Sequence, residues 1–317
     1  MANRPSRKKH SYRRLDHYRW LRSDGMPNFN DKVFSYLGEL HIMAKRDVRY
    51  VHPSTSVMKA VEEMAQHYRS LLVLSPSGKT LTGVITAMDV VNYMGGGELF
   101  MIIEKRHGYS IYSALNNEVV ETIMERNPVF AYVDEDLKSA LAKMVMHGVG
   151  ILPVVERDGS VHGIITEHDL VSYLVGVVSL GLKARDYMSK PVITVDKDSS
   201  LKEVMETMVK YGFRRLPIVE DNVLVGLITA IDIVRLFGKH EVFEHMSSDD
   251  IRDLLVQPVH KYMVTDIVVA MPEDDLAKVV REMFSRDVSS ALIIDENGVL
   301  QGIITERDIL YALLTPV

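Results

Sequence analysis

The hydrophobic and polar positions of the chain repeat one pattern four times. A short apolar run after a glycine predicts a buried strand, and apolar residues at helical spacing predict the amphipathic helix that follows. Between strand and helix lies a polar corner with the spacing Thr-x-x-Asp. The copies are GVITAMDVVNYM from Gly83, GIITEHDLVSYL from Gly163, GLITAIDIVRLF from Gly226 and GIITERDILYAL from Gly302. An internal repeat of this kind determines the architecture before any local feature does.

Each copy closes a longer unit that we predict to be β-α-β-β-α. In the first unit, strands at 48–51, 70–74 and 82–85 surround an amphipathic helix at 57–67. The later units repeat the order, with a strand, a helix and a second strand at 128–133, 137–147 and 151–155, at 191–195, 201–211 and 216–219, and at 267–269, 276–284 and 291–294. Strands that alternate with helices in this way predict an α/β (α+β) fold.

The spacing of the units pairs them into two modules. The corner threonines repeat over a longer period, 143 residues from Thr86 to Thr229 and 139 from Thr166 to Thr305. We divide the chain into a basic arm and linker (1–40), unit 1 (41–98), a helical linker (99–118), unit 2 (119–176), unit 3 (183–238), a helical linker (239–258) and unit 4 (259–317). A short helix is expected near 33–40, and Gly95 to Gly97 predict a flexible linker start. Paired units should pack sheet to sheet and share a core.

Composition fits a globular chain inside the cell. The 317 residues are 47% hydrophobic and 25% charged, and none is cysteine. Disulfides, zinc-thiolate sites and thiol nucleophiles are therefore excluded. The sequence has no apolar run of about 18 residues and no signal-peptide pattern. We therefore expect a cytoplasmic protein that does not cross a membrane. The histidines show no metal-ligand spacing, so no structural metal is expected.

Charge is concentrated at the N-terminus. Residues 1–22 carry eight Lys or Arg and one Asp, a net of +7 within a chain total of −6, which leaves −13 for the remainder. The arm could bind nucleic acid electrostatically, and its tyrosines and tryptophan could stack on bases. It could equally be a solvated tail on the acidic surface of the protein.

The Thr-x-x-Asp corner has a structural and a functional interpretation. It matches a capping box, in which the threonine caps the helix and the aspartate returns a hydrogen bond. The same geometry suits a ligand, because the first turn of a helix offers free N–H groups and a positive dipole end to phosphate. A carboxylate there can also accept two hydrogen bonds from a ribose diol. The residues alone leave both interpretations open.

These units resemble the CBS-domain family. The resemblance rests on the β-α-β-β-α order, the Leu-Pro strands (Leu152-Pro153 and Leu216-Pro217), the corners and the tandem pairing, and it covers about residues 48–314. Four units in two modules are most similar to the gamma subunit of AMP-activated protein kinase and its archaeal relatives. That resemblance implies two Bateman modules in a flat disk, with clefts between paired units that bind adenosyl ligands.

The resemblance also implies roles for particular residues. Ribose binding is expected at Asp89, Asp169, Asp232 and Asp308, and sugar or phosphate binding at Thr86, Thr166, Thr229 and Thr305. Phosphate binding is expected first at Arg214 and Arg215, which precede a Leu-Pro strand and can serve a nucleotide held mainly by unit 4. Further phosphate candidates are Arg69, Ser289, Ser290, His168 and Arg307; unit 2 has Gly150-Ile151 at the equivalent place and lacks a donor. The adenine slot is expected at Ile193, Thr194 and Ile218.

The favoured function is a non-catalytic regulatory protein that senses AMP, ADP or ATP and acts on an unknown protein in trans. One alternative is a sensor of S-adenosylmethionine or another adenosyl ligand, which would not need the phosphate-binding arginines. A second is a nucleic-acid-associated protein that uses residues 1–22. We predict no enzyme, because the chain has no P-loop, no nucleophile elbow and no segment left for a catalytic domain. The nucleotide would be a regulatory ligand rather than a cofactor. An exposed module face would allow a homodimer.

Overall fold

The computed structural model describes residues 38–67, 69–175, 182–240, 242 and 248–314. The basic arm and most of the helix predicted near 33–40 lie outside these residues. The described part of the chain contains four three-stranded sheets, one for each predicted unit. In every sheet the first strand runs parallel to the middle strand, which runs antiparallel to the third.

The middle and last strands of each unit form the hairpins that the sequence predicts. The strands are β1 (Tyr50–Val51), β2 (Ser70–Leu74) and β3 (Leu81–Thr86), β4 (Ala131–Tyr132), β5 (Ile151–Val155) and β6 (Val161–Thr166), β7 (Val195–Asp196), β8 (Arg215–Glu220) and β9 (Val223–Thr229), and β10 (Val269–Ala270), β11 (Ser290–Ile294) and β12 (Leu300–Thr305). The first strand of each unit has only two residues, shorter than predicted, because only two of its residues pair with the middle strand.

Helices cover one face of each sheet and form the linkers. They are α1 (Glu39–Met43), α2 (Val57–His67), α3 (Ala87–Val91), α4 (Phe100–His107), α5 (Ile111–Asn117), α6 (Val120–Ile123), α7 (Leu137–His147), α8 (Glu167–Val175), α9 (Ala184–Tyr187), α10 (Leu201–Tyr211), α11 (Ala230–Gly238), α12 (Ile251–Leu255), α13 (Leu276–Ser285) and α14 (Glu306–Leu314). A π-turn at Asn92–Gly96 extends α3, and Val259–Lys261 form a 3₁₀ turn. No helix in the described ranges is both long enough and apolar enough to cross a bilayer.

Local chemistry explains the helix ends. The Asp136 carboxylate accepts a hydrogen bond from the N–H of Ser139 at the start of α7, and Gly148 ends that helix with a left-handed φ of 59°. Helix α10 begins at a capping box between Ser200 and Glu203 and ends at Gly212, with φ of 69°. Glycine adopts this conformation without steric cost, so both helices end where the apolar period does.

The units are paired as predicted, 1 with 2 and 3 with 4. In each pair, the segment before the first strand of one unit bridges the last strand of the other. These antiparallel bridges join Lys45 to Ile164, Glu125 to Val84, Ser189 to Ile303 and Val264 to Leu227. Further bridges join the hairpin tips of paired units, Thr80 to Ser160 and Val223 to Val299. The exchange is reciprocal, so neither unit of a module completes its sheet edge alone.

The main cores lie between the modules rather than within them. The largest apolar core joins units 1 and 3 and includes Met64 of α2 and Phe237 of α11, both fully buried. A second core joins units 2 and 4, with Leu170 of α8 and Ile309 of α14. The sheet faces of units 1 and 2 meet only in a small cluster around Leu72. The expectation that sheet packing within a module forms the shared core is therefore incomplete, because helices provide most of the contact.

The glycine run at the start of the first linker is packed, not flexible. Gly95 and Gly96 are buried against unit 3. A Cβ on Gly95 would lie 2.7 Å from Cδ2 of Leu255, and one on Gly96 would lie 2.7 Å from the carbonyl oxygen of Met205. Gly95 also has φ of 144°, which disfavours any side chain. The prediction of flexibility was wrong because these glycines permit a close approach between modules.

Candidate functional site

All four Thr-x-x-Asp corners form the same hydrogen bonds. In each, Oδ2 of the aspartate accepts from the backbone N–H and the hydroxyl of the threonine, at 2.6–3.1 Å. The pairs are Thr86 with Asp89, Thr166 with Asp169, Thr229 with Asp232 and Thr305 with Asp308. One carboxylate oxygen is therefore committed to the helix start in every unit, and Oδ1 is the oxygen turned toward other groups.

A cavity lies between units 3 and 4 beside the fourth corner. Unit 4 contributes Thr305 and Asp308 to its wall, and unit 3 contributes Arg214 and Arg215. The remaining wall residues are Glu167, Ser189, Lys190, Pro191, Val192, Ile193, Gly212, Phe213, Pro217, Ile303, Glu306 and Arg307. The structure thus brings six sequence-predicted site residues together: Ile193, Arg214, Arg215, Thr305, Arg307 and Asp308.

The apolar side of the cavity differs from the predicted adenine slot. Ile193 is on the wall, but Thr194 is not, and Val192 takes its place. Ile218 is fully buried in the core of units 1 and 3. Side chains alternate between the faces of β8, so Leu216 and Ile218 point into the core while Pro217 lines the cavity. Ile218, which the sequence predicted for the adenine slot, therefore does not line this cavity, whereas Pro217 does.

The two consecutive arginines of unit 3 lie where a ligand anion would be neutralised. Arg215 donates through Nη1 and Nη2 to the carbonyl oxygen and hydroxyl of Ser289, at 3.0 and 2.9 Å. Burial lowers the pKa of Arg214, and burial together with nearby Arg69 and Arg214 lowers the pKa of Arg215 to about 10. Both guanidiniums remain charged at neutral pH, and a bound anion would relieve their mutual repulsion.

Arg214 extends across the centre of the molecule to unit 2. It occupies the repeat position held by Arg69 in unit 1, Gly150 in unit 2 and Ser289 in unit 4. A Cβ on Gly150 would lie 2.4 Å from Nη1 of Arg214. The glycine that deprives unit 2 of its own donor therefore makes room for the arginine of unit 3.

Two buried glutamates connect the corners of units 2 and 4. Oε1 of Glu167 accepts from Nε of Arg307 at 2.6 Å, and its Oε2 lies 3.7 Å from Nη1 of Arg214. Reciprocally, Oε1 of Glu306 lies 2.8 Å from Nδ1 of His168, and its Oε2 lies 3.7 Å from Nη1 of Arg69. His168, Arg307 and Arg69 thus bind carboxylates of a neighbouring unit. Sequence reasoning missed the glutamates, although both directly follow the corner threonine, where units 1 and 3 have alanine.

The charges of this cluster stabilise one another. Burial raises the pKa of Glu167, but Arg307 and Arg214 outweigh it, so the net pKa is lowered and the carboxylate is ionised. Burial lowers the pKa of Arg307, but Glu167 outweighs it and the net pKa is raised. The hydrogen bond to Glu306 raises the pKa of His168. Glu167 and Arg307 therefore hold each other charged at the centre of an ion-pair network.

The other predicted phosphate residues have structural partners. Ser289 accepts both hydrogen bonds from Arg215, and Ser290 is buried in β11, paired with Thr305. Neither serine lines the cavity. At the second corner, Nζ of Lys45 lies 2.5 Å from Oδ1 of Asp169. Among the described residues, no group of three or more His, Asp or Glu side chains could hold a metal ion.

Comparison with known proteins identifies relatives over most of the chain. The CBS domain matches residues 37–96, 120–176, 184–239 and 259–315. Protein MJ1225 of Methanocaldococcus jannaschii, an uncharacterised protein, is 33% identical over 272 residues, 86% of this chain and 97% of its own. A 33.4 kDa protein of Thermofilum pendens, from a ribosomal RNA operon and also uncharacterised, is 28% identical over 83% of this chain and 87% of its own.

Solved structures share the arrangement. The crystal structure of MJ1225, a proposed archaeal homologue of γ-AMPK, superposes with a TM-score of 0.81 over 85% of this chain and 97% of its own, at 33% identity. An uncharacterised conserved protein of Pyrococcus horikoshii has the same fold, with a TM-score of 0.54 over 86% of this chain and 98% of its own, at 19% identity. The four-unit architecture therefore occurs in these two archaeal proteins.

Proposed function

Because the chain belongs to the CBS-domain family, as its repeated corners predicted, we propose that it is a regulatory protein that binds an adenine nucleotide in the cavity beside Asp308. It acts on a partner protein and catalyses no reaction itself. One observation carries the proposal: a single cavity holds the Thr305–Asp308 corner of unit 4, the arginines of unit 3 and an apolar wall.

Each part of an adenine nucleotide has a chemical match on that wall. The ribose diol donates to the Asp308 carboxylate at the start of α14. The phosphate accepts from Arg214 and Arg215, whose planar guanidiniums suit phosphate oxygens. The adenine ring lies against Val192 and Ile193. The N-terminal end of the nine-residue helix α14 adds a favourable dipole for the anionic part of the ligand.

The likeness to MJ1225 supports a nucleotide over other adenosyl ligands. That protein is a proposed homologue of γ-AMPK and shares 33% identity over nearly its whole length. The arginine pair supports the same conclusion, since two guanidiniums on the cavity wall match the negative charge of a phosphate. Together they favour AMP, ADP or ATP as the regulatory ligand.

Signalling follows from the position of Glu167. This carboxylate lies on the cavity wall but belongs to unit 2, and it faces Arg214 of unit 3. A bound phosphate competes with it for the same guanidinium. The ligand then favours an arrangement in which unit 2 is held less tightly, and a partner protein that contacts the changed surface responds. A ligand shifts such an equilibrium only through its different affinity for the two arrangements.

Calorimetric titration of nucleotide-free protein with AMP, ADP and ATP tests the proposal. We expect micromolar binding that Asp308→Asn and Arg215→Ala each weaken by about tenfold or more, the size of a lost charge-assisted hydrogen bond. Arg252→Ala is the matched control, because that exposed arginine on α12 pairs with Asp250 outside the cavity. Absence of binding, or equal binding by Asp308→Asn, would refute the assignment.

A second candidate is S-adenosylmethionine, favoured by one observation. The buried carboxylates of Glu167 and Glu306 both line the cavity, and they would attract a cationic sulfonium. The same titration separates the two ligands. Tighter binding of S-adenosylmethionine than of any nucleotide, unchanged in Arg215→Ala, would select this candidate.

A further inference from the structure

Four equivalent residues form backbone bridges to the last strand of the paired unit, next to the four Thr-x-x-Asp corners. Each makes the backbone bridge to the residue two positions before a corner threonine, as described for the modules above. They are Glu125 beside the Asp89 corner, Lys45 beside Asp169, Val264 beside Asp232 and Ser189 beside Asp308. The corners are alike, but the residues that bridge beside them are acidic, basic, apolar and hydroxylic. The four corners therefore differ in the chemistry of the residue contributed by the paired unit.

Two of these residues contact the corner carboxylate directly. The Ser189 hydroxyl donates to Oδ1 of Asp308 at 2.8 Å. The Lys45 ammonium lies 2.5 Å from Oδ1 of Asp169, whose side chain is only 13% exposed. Since Oδ2 is committed to the helix cap in both units, a ribose diol must be received largely through Oδ1. The two residues thus control the same atom in different clefts.

We infer that Lys45 disfavours a ribose diol at Asp169, whereas Ser189 permits one at Asp308. The inference rests on the proposed adenosine-type ligand and assigns selectivity among its clefts to this one position.

The chemistry of the two side chains accounts for the difference. A serine hydroxyl is short, can rotate, and both donates and accepts, so it can share the carboxylate with a sugar hydroxyl. An ammonium only donates and attracts the carboxylate as an ion pair, so a neutral diol must displace a charged partner.

The backbone of Lys45 also favours the closed arrangement. Its N–H donates to the carbonyl oxygen of Ile164 at 2.9 Å, and its carbonyl accepts from the N–H of Ile164 at 3.0 Å. The lysine therefore starts from a fixed position beside Asp169. Its side chain is 63% exposed, which screens the ion pair. The expected effect is accordingly modest, roughly a fivefold change in affinity.

The test isolates one cleft at a time. In Asp89→Asn/Asp232→Asn/Asp308→Asn protein only the Asp169 cleft keeps its carboxylate. There, Lys45→Ser should strengthen adenosine binding about fivefold. In Asp89→Asn/Asp169→Asn/Asp232→Asn protein, Ser189→Lys should weaken it similarly. The changes should be absent with 2′,3′-dideoxyadenosine, which lacks the diol. Lys59→Ser, at an exposed lysine of α2, is the matched control.

Single variants in the wild-type chain keep the test decisive if the multiple variants fold poorly. Lys45→Ser should then raise the number of AMP molecules bound or the mean affinity, and Ser189→Lys should lower it. If the wild-type protein binds AMP but neither exchange alters binding, or if Lys45→Ser weakens it, the selectivity is refuted and the proposed function stands. If no adenosine compound binds wild-type protein, both are refuted.

Discussion

The corners of units 1 and 3 differ from those of units 2 and 4 only in the two residues between threonine and aspartate. In units 1 and 3 these residues are Ala-Met and Ala-Ile, and Met88 and Ile231 pack on the large apolar core. In units 2 and 4 they are Glu-His and Glu-Arg, and the corners are joined by Glu167 to Arg307 and His168 to Glu306. The same helix cap therefore serves an apolar contact in one half of the molecule and an ionic contact in the other.

The two kinds of contact are suited to different roles: apolar contacts stabilise the assembly of the units, and ion pairs can respond to a ligand. Apolar side chains in a core cannot exchange their partners for ions, so the apolar cores between units 1 and 3 and between units 2 and 4 are expected to hold the modules together. Ion pairs can be exchanged for other ions. In the half formed by units 2 and 4, Glu167 shares Arg214 with the proposed phosphate site, so ligand binding can rearrange these contacts without opening an apolar core.

The largest loss of stability is expected when one partner of the ion pair between units 2 and 4 is removed. Glu167→Ala leaves Arg307, only 16% exposed, without its carboxylate. The free energy of unfolding should fall by about 3 kcal/mol, since an unpaired buried charge costs far more than the pair contributes. Urea denaturation measures the change. Glu273→Ala is the control, because Glu273 pairs with Arg185 at 63% exposure and should alter stability by less than ~0.5 kcal/mol. If the two variants lost equal free energy of unfolding, the ion pair between Glu167 and Arg307 would not have the structural role proposed for it.

A smaller loss is expected from crowding the apolar half. A Cβ on Gly238 of α11 would lie 2.6 Å from the carbonyl oxygen of Val61 in α2. Because backbone cannot move aside cheaply, Gly238→Ala should cost about 2 kcal/mol.

Gly150→Ala is the paired experiment in the ionic half. There the obstacles are the side-chain ends of Arg214 and Glu167 rather than backbone, so the stability loss should stay below ~1 kcal/mol while nucleotide affinity falls about tenfold. Urea denaturation and calorimetric titration of both variants would separate the two responses. If Gly238→Ala rather than Gly150→Ala lowered the affinity for nucleotide, the proposed difference between the two halves would be wrong.

Converting one ionic contact into an apolar one should change stability little. The double variant Glu167→Ala/Arg307→Ile gives the contact between units 2 and 4 the residue types that follow the corner threonine in units 1 and 3. The double variant should unfold within ~1 kcal/mol of wild type, since both charges are removed together. A double-mutant cycle by urea denaturation would then give a coupling energy of at least ~2 kcal/mol. Additive losses would show that the two side chains act independently.

The smallest effect concerns pH. The hydrogen bond to Glu306 raises the pKa of His168 above its unfolded value, with Asp169 adding to the shift and Lys45 opposing it. Its contribution to stability is therefore complete below the unfolded pKa of about 6.5 and is lost as pH rises through the folded pKa. The imidazole is 40% exposed, so the contribution should stay below ~1 kcal/mol. The stability difference between wild type and His168→Met should shrink from about pH 6 to about pH 9; a constant difference would exclude this titration.

The sequence predicted those parts of the fold that depend on local patterns. Helices α2, α7 and α10 have the predicted bounds, because apolar periodicity and capping residues lie close together in the chain. The corner aspartates and threonines form their caps for the same reason. Edge strands such as β1 were predicted too long, because their length depends on pairing with a neighbour rather than on composition.

The parts that could not be predicted depend on distant neighbours. Gly95 looked flexible, but whether a glycine faces solvent or a close-packed helix depends on residues far along the chain. Ile218 looked like a slot residue, because β8 is apolar on both faces and its alternation does not say which face meets the ligand. The contact of Arg214 with Glu167 was equally hidden. The sequence did contain a local signal for this contact. Gly150 replaces a polar residue at one repeat position, and Glu167 and Glu306 replace alanine at another.

The reciprocal bridges within each module constrain how the chain can be made in the cell. Ile164, the partner of Lys45, is synthesised about 120 residues later. At ribosomal rates the segment around Lys45 therefore waits on the order of ten seconds for its partner strand β6. During that time Leu40 and Ala44, which pack in the core of units 2 and 4, are exposed to other nascent chains, and the apolar face of α2 stays exposed until unit 3 is made. A pause in translation within the first linker would prolong this exposure, whereas a pause after unit 2 would release a paired module.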